Sequence, residues 1–187
     1  MIINPVDVFE LFLKLFYHKK DQALLESIKA YFGVGNILIR DNYIEYVVTS
    51  EKDVLIIVNH FDKFPLITKK WADYILFKQA FELINRKEHL TNEGLHKIVA
   101  IKASINLGLP EELKTAFPEI TPFPRPLVQL PEKIDPHWLA GFFSAEGYFM
   151  IKCNKNLTCK SGFQVLLKFQ ITQHTRDEEL IRSLLFW

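Results

Sequence analysis

Glu146 is the single acid in residues 138–149, WLAGFFSAEGYF, where every other side chain is aromatic, aliphatic or small. Gly147 follows it directly. A carboxylate so placed has two uses: it can meet a bound cation or a close basic partner, or it can be the last acid of a buried helix and face water. The next residues favour the first. Between Glu146 and Asp177 there are five basic residues, Lys152, Lys155, Lys160, Lys168 and Arg176, and no acid. Asn154, Gln164, Gln170 and Thr172 are interleaved with them. Lys, Gln and Asn offer donors and acceptors that match base edges, so this segment suits contact with a nucleic acid. A merely solvated sheet face is the plainer alternative.

These side chains need a helix and two strands to position them. Asp135 is placed as an N-cap and Pro136 at the first helical position. Ala140 with Ser144, and Gly141 with Ala145, then fall at i,i+4 and form a face of small residues that a second helix can approach closely. Leu139, Phe142 and Phe143 require a core. Glu146 ends the helix, where the dipole disfavours negative charge by roughly 0.3–1 kcal/mol, and Gly147 is expected to cap it in a left-handed conformation. The strand after it alternates Phe149, Ile151 and Cys153 against Tyr148, Met150, Lys152 and Asn154. Its partner alternates Phe163, Val165, Leu167, Phe169 and Ile171 against Gln164, Lys168, Gln170 and Thr172, with Leu166 the apolar exception. The pair reads as a ribbon with one core face and one polar, cationic face, of a width that enters a major groove.

The preceding chain is also mixed. Residues 9–17 suit a strand, with a helical reading open. Asp21 opens a helix whose face is Leu24, Leu25, Ile28 and Tyr31, stopped by Gly33 and Gly35. Strands at 36–40 and 43–49 turn at Asp41-Asn42. A helix runs from Glu51 to Phe61 and closes at Phe64-Pro65. Another starts at Thr68 and carries Trp71, Ile75, Phe77, Phe81 and Ile84. Thr91 caps the next, with Leu90 and Leu95 as its staple and Ile98, Ile101 and Ile105 as its face up to Gly108. Six of the nine prolines lie between Pro118 and Pro136, which predicts an extended tether.

Composition narrows the classes. The 187 residues make one domain or one and a fraction, and 49% hydrophobic content supports a core. A net charge of +1 gives the whole molecule no strong partner preference, so local charge matters more. Two cysteines are too few for a disulfide framework, and the six histidines show no zinc spacing with them. No apolar run reaches the ~18 residues of a membrane span. The N-terminus lacks a basic region, and no arginine precedes Arg40, unlike an imported transit peptide. A protein of this kind working in an organelle would be made there.

An internal repeat appears at an offset of 156, which aligns His18 with His174. Leu11 then meets Leu167, Asp21 meets Asp177, Leu24 meets Leu180 and Ser27 meets Ser183. Leu25/Ile181 and Ile28/Leu184 are conservative pairs, and Tyr31 meets Trp187. Both copies are expected at a strand-to-helix junction. A first copy of the Glu146 motif would lie before Met1, so the chain reads as the middle of a tandem two-unit protein, missing both ends.

The stretch 138–149 resembles the LAGLIDADG motif of homing endonucleases. Supporting stretches are YFGVGNI (31–37), HFDKFPLITKKWADYILFKQAFELI (60–84), KEHLT (87–91) and LKFQITQH (167–174), and the likeness extends over about residues 10–187, in the fungal mitochondrial, intron-encoded, single-chain branch. It implies an α+β fold of αββαββα units: a first unit at 9–117 lacking its motif helix, a Pro-rich linker at 118–135, and the start of a second unit at 136–187. One composite domain, with 136–172 completing the first unit's sheet and 9–17 left over, is a further expectation. The resemblance implies a DNA-binding hydrolase that cuts both strands of a long double-stranded site with Mg²⁺ or another divalent metal. Glu146 would be a metal-binding acid, with Gln173 and Lys70 near the scissile phosphate. DNA contacts are expected from Arg40, Lys152, Asn154, Lys155, Lys160, Gln164, Lys168, Gln170 and Thr172. Ala140, Gly141, Ser144 and Ala145 are expected to pack the motif helix. With one motif, activity calls for a homodimer or a longer precursor. An intron RNA maturase (splicing factor) and a degenerate reading frame are the alternatives, and no membrane role is implied.

Overall fold

The computed structural model describes residues 13–186, so residues 9–12 of the expected first strand, Leu11 and Trp187 lie outside it. The described chain forms two compact units, 13–66 with 70–127, and 67–69 with 128–186.

The first unit contains β1 (Leu13–His18), α1 (Gln22–Phe32), β2 (Asn36–Ile39), β3 (Tyr43–Val48), α2 (Glu51–Lys63), α3 (Lys70–Asn85), α4 (Asn92–Ser104) and α5 (Glu111–Ala116). Its sheet has the order β1-β3-β2 and is antiparallel throughout, with Tyr46 opposite both Leu15 and Ile37. Strand alternation sends Ile44, Tyr46 and Val48 to one face, where they pack with Leu25, Val54, Ile57, Val58 and Phe81. A second cluster joins α3 to α4 through Leu76, Ala80, Leu83, Ile98 and Ile101.

Several expectations change here. In α1 the inward residues are Leu25, Ile28 and Phe32, whereas Leu24 and Tyr31 are exposed. Gly33 does stop α1, at φ 70° in the left-handed region. Helix α3 begins at Lys70 rather than Thr68. Thr91 Oγ1 caps α4 by accepting the Gly94 N–H at 3.0 Å, but Leu90 is exposed and buries no staple. Residues 117–135 carry no helix or strand, yet they are not a loose tether. The Phe123 N–H donates to the Ala100 carbonyl, Ser104 Oγ donates to the Phe123 carbonyl, and Arg125 bridges the Ser104 carbonyl and Asp73.

The second unit contains α6 (Pro136–Glu146), β4 (Gly147–Lys155), β5 (Phe163–Ile171) and α7 (Glu178–Ser183). Strands β4 and β5 pair only with each other, so the described strands make two separate sheets. The composite domain is therefore not formed. Strand β1 is not left over either, since it hydrogen-bonds along β3. The unit's core is Ile134, Leu139 and Leu180, with Ile67, Leu130, Trp138, Phe142, Phe143 and Leu184 against it.

The repeat is present in the backbone. His18 and His174 adopt nearly the same conformation, φ −66° with ψ 149° and 145°, and each ring accepts the N–H two residues on. A short 3-10 turn follows each, ending at Asp21 and Asp177, and the helices begin at Gln22 and Glu178.

Candidate metal and nucleic-acid site

Helix α6 starts as its sequence dictates. Asp135 accepts the N–H groups of His137 and Trp138 at 2.8 and 3.1 Å, and Pro136 occupies a position that needs no N–H partner. Leu139 is buried, Trp138 stacks on Phe142 at 5.0 Å, and Phe143 meets the ring of Phe169 on β5 at 5.3 Å. These contacts fix the helix by its apolar side. The other side, Ala140, Gly141, Ser144 and Ala145, is exposed, and a Cβ on Gly141 would have nothing within 4 Å.

Glu146 is the last residue of α6 and is exposed. Gly147 does not take the expected left-handed conformation: at φ −83° and ψ 148° it is extended and begins β4 directly. Its N–H still closes the helix by donating to the Phe143 carbonyl. Glycine is required for space, because a Cβ there would collide with that carbonyl oxygen. The helix therefore passes into the strand without a loop, and Glu146 is held at the junction.

A lone carboxylate at the negative end of a helix suits one ligand position of a hard cation. The described residues hold no group of three or more His, Cys, Asp or Glu side chains able to enclose a metal. Glu146 can offer such an ion one donor.

The ribbon has the expected alternation, and strand pairing sets its register. Tyr148 faces Gln170, Met150 faces Lys168, Lys152 faces Leu166 and Asn154 faces Gln164, all on one face. Asn154, Lys152, Gln164, Lys168 and Gln170 thus share a surface, and Gln170 Nε2 donates to Thr172 Oγ1 at 3.1 Å just past the strand. Lys155 pairs with Phe163 and belongs to the opposite face, and Lys160 lies in the turn closed by the Asn156 N–H to Gly162 carbonyl bond. The apolar face is not a core: Phe149, Ile151 and Leu167 are 73–80% exposed. Gln173 lies two residues past the Gly147–Ile171 pair, at the end of the ribbon where Glu146 sits.

Lys70 and Arg40 belong to the first unit. Lys70 is exposed and 3.7 Å from Asp73, and Arg40 follows β2 in the β2–β3 turn. Sequence reasoning missed two buried acids. Asp177 accepts the Lys69 N–H at 2.7 Å and lies 3.4 Å from Arg176 Nε, and Glu45 is on the sheet face away from the first core. The repeat had already singled out Asp177 as a matched position.

The family model described as "LAGLIDADG endonuclease" matches residues 4–81 and 139–185. The "Probable intron-encoded endonuclease 3" of Neurospora crassa is 40% identical over 179 residues, covering 94% of this chain and 33% of that protein. A solved structure of "I-SmaMI bound to uncleaved DNA target in the presence of Calcium ions" superposes with a TM-score of 0.88 at 48% identity, covering 92% of this chain and 60% of that one. "LAGLIDADG Meganuclease I-AabMI Bound to Uncleaved DNA" gives 0.86 at 45%, covering 94% and 62%. The chain thus spans about a third of the curated relative and about three-fifths of the solved ones.

Proposed function

The chain belongs to the LAGLIDADG endonuclease family, and from that premise we propose that it carries one half of a metal-dependent site for cutting both strands of a long DNA target. The observation that carries the reading is the loop-free junction of α6 and β4, which sets an exposed carboxylate at the end of an acid-free, cationic ribbon. Lys152, Asn154, Gln164, Lys168 and Gln170 contact the groove edges and backbone of the duplex, with Thr172 at the border, Lys155 and Lys160 reaching phosphates from the tip, and Arg40 reading from the first unit's sheet. Glu146 would hold the divalent ion, Mg²⁺ in the cell. A bound divalent ion supplies Lewis-acid stabilisation of the phosphoryl and leaving oxygens and makes water a stronger nucleophile. Gln173 orients water at the same end of the ribbon. Lys70, on the first unit, is read as a phosphate-binding lysine.

A complete site needs a second carboxylate, supplied by Glu146 of a second copy or by further sequence in a longer precursor. The exposed small-residue face of α6 supports that assembly, because it permits close approach of another helix. The intron-encoded relative supports an origin in a fungal mitochondrial intron.

The test incubates the protein with a randomised duplex library and Mg²⁺ and sequences the cut ends. Cleavage at defined sites, abolished by Glu146→Gln, is the expected result. Cleavage that survives Glu146→Gln removes the proposed role. No cleavage, with intron RNA binding and splicing assistance intact in Glu146→Gln, replaces the endonuclease reading with the maturase one.

A further inference from the structure

The first unit's sheet has a second face, away from the core, on which Lys14, Phe16 and His18 of β1, Asn36 and Leu38 of β2, and Tyr43, Glu45 and Val47 of β3 alternate outward. Glu45 is the acid of this face among the described residues. It sits on the central strand with Phe16 directly opposite on one side and Leu38 on the other, and its side chain is only 7% exposed. Its carboxylate lies 3.5 Å from Nη2 of Arg40, whose own side chain is 50% exposed. The backbone of Arg40 is fixed by the hairpin, its N–H donating to the Tyr43 carbonyl at 2.9 Å.

A carboxylate walled by apolar neighbours is costly without a partner. Buried so far, it has little surface to offer a base itself, and it acts through the group that shields it. A guanidinium is a planar fork with donors on two edges, so an acid on one edge leaves the other in a set orientation. We propose that Glu45 is a positioning residue for base recognition: it holds Arg40 so that the outer edge of the guanidinium presents a fixed two-point donor to O6 and N7 of a guanine. The inference rests on the proposed DNA-reading role of this sheet. It adds that specificity at one G·C pair depends on an acid that touches no DNA.

Two measurements decide it, on the whole chain with Glu45→Gln, Glu45→Asp and Arg40→Lys. The first is the ¹⁵Nε heteronuclear NOE of Arg40 in the free protein, expected to show an ordered side chain in the wild type, a mobile one in Glu45→Gln and partial order in Glu45→Asp. The second is selection of bound duplexes from a randomised library at fixed salt. The wild type is expected to prefer one G·C pair by roughly tenfold or more. Glu45→Gln and Arg40→Lys should both lose that same preference while other positions keep theirs. Because Arg40→Lys retains a cation beside the buried acid, a loss shared by the two variants is not a loss of folding. Unchanged Arg40 order in Glu45→Gln overturns the inference. So does a G·C preference that Glu45→Gln keeps and Arg40→Lys loses. A wild-type chain that selects no sequence overturns the DNA reading of the sheet, and this inference with it.

Discussion

Asp177 and Glu146 are both carboxylates of the second unit, and their surroundings give them different work. Asp177 is 6% exposed and accepts a backbone N–H from Lys69. Truncation to alanine removes a charge-assisted hydrogen bond from a half-buried N–H, so Asp177→Ala should cost about 1–3 kcal/mol, read as a lower urea midpoint. Glu146 is exposed, so Glu146→Gln should leave the midpoint within about 0.5 kcal/mol while abolishing Mg²⁺-dependent cleavage. An equal stability loss in both would show Glu146 to be structural. In the first unit, the ring of His60 lies 5.0–5.5 Å from those of Tyr31, Phe32, Phe61 and Phe64. Burial lowers its pKa below the ordinary 6.5. The unfolded chain therefore takes up a proton more readily than the folded one. Stability should be full above pH 6.5 and decline as pH falls from there through the lowered value. Denaturation midpoints between pH 7.5 and 5 should decline less steeply for His60→Phe, and an identical slope would exclude His60 as the cause.

At the scale of elements, the α6–β4 junction carries the most consequence. Gly147 lies in ordinary extended backbone, so its requirement is steric rather than conformational. Gly147→Ala must push the strand away from the Phe143 carbonyl. It should cost about 1–3 kcal/mol and lower cleavage as Glu146 shifts, measured by melting and by rate. A native-like midpoint would mean that the junction has slack. The ribbon makes a separate prediction. Lys152→Ala and Lys168→Ala should each weaken DNA binding across all sequences and reduce the slope of log K against log salt by about one. Slopes unchanged from wild type would take those lysines off the phosphates.

The two units of the molecule show one junction in two settings. Leu24 and Leu180 are matched by the repeat, yet Leu24 is 48% exposed and Leu180 is 2% exposed. The difference is α6, whose Leu139 packs with Leu180 in the second unit. The next pair is reversed. Leu25 is fully buried against β3 and α2, while Ile181 is half-buried. Each described unit thus displays a different part of the same architecture, which is why one chain shows both an uncovered helix face at Leu24 and an uncovered strand face at Phe149 and Leu167. Leu180→Ala should destabilise the second unit by about 2–5 kcal/mol, whereas Leu24→Ala should change the first by under about 1 kcal/mol. Equal effects in denaturation would contradict that asymmetry.

Local chemistry in the sequence determined the elements and the motif. Asp135 with Pro136, Thr91 and Gly33 mark helix ends by the groups that satisfy backbone donors and carbonyls, and these marks hold wherever the helix packs. The alternation in β4 and β5 set which side chains share a face, whereas pairing set the register, since a slip of two residues keeps the faces. The His18/His174 match placed the repeat to the residue, because a side-chain ring that accepts a nearby N–H is a local arrangement. Packing decided the rest. Whether Leu24 or Leu25 is inside depends on which neighbour covers α1, and a helical period alone admits both. The Pro-rich segment is anchored by Phe123, Ser104 and Arg125 through hydrogen bonds to residues distant in sequence. Glu45 lies between Phe16 and Leu38, and only strand pairing brings them beside it. At Glu146, sequence determined that an acid ends a small-residue helix, and the tertiary structure set it at a loop-free entry to the ribbon because the Phe143 carbonyl leaves room for nothing larger than glycine.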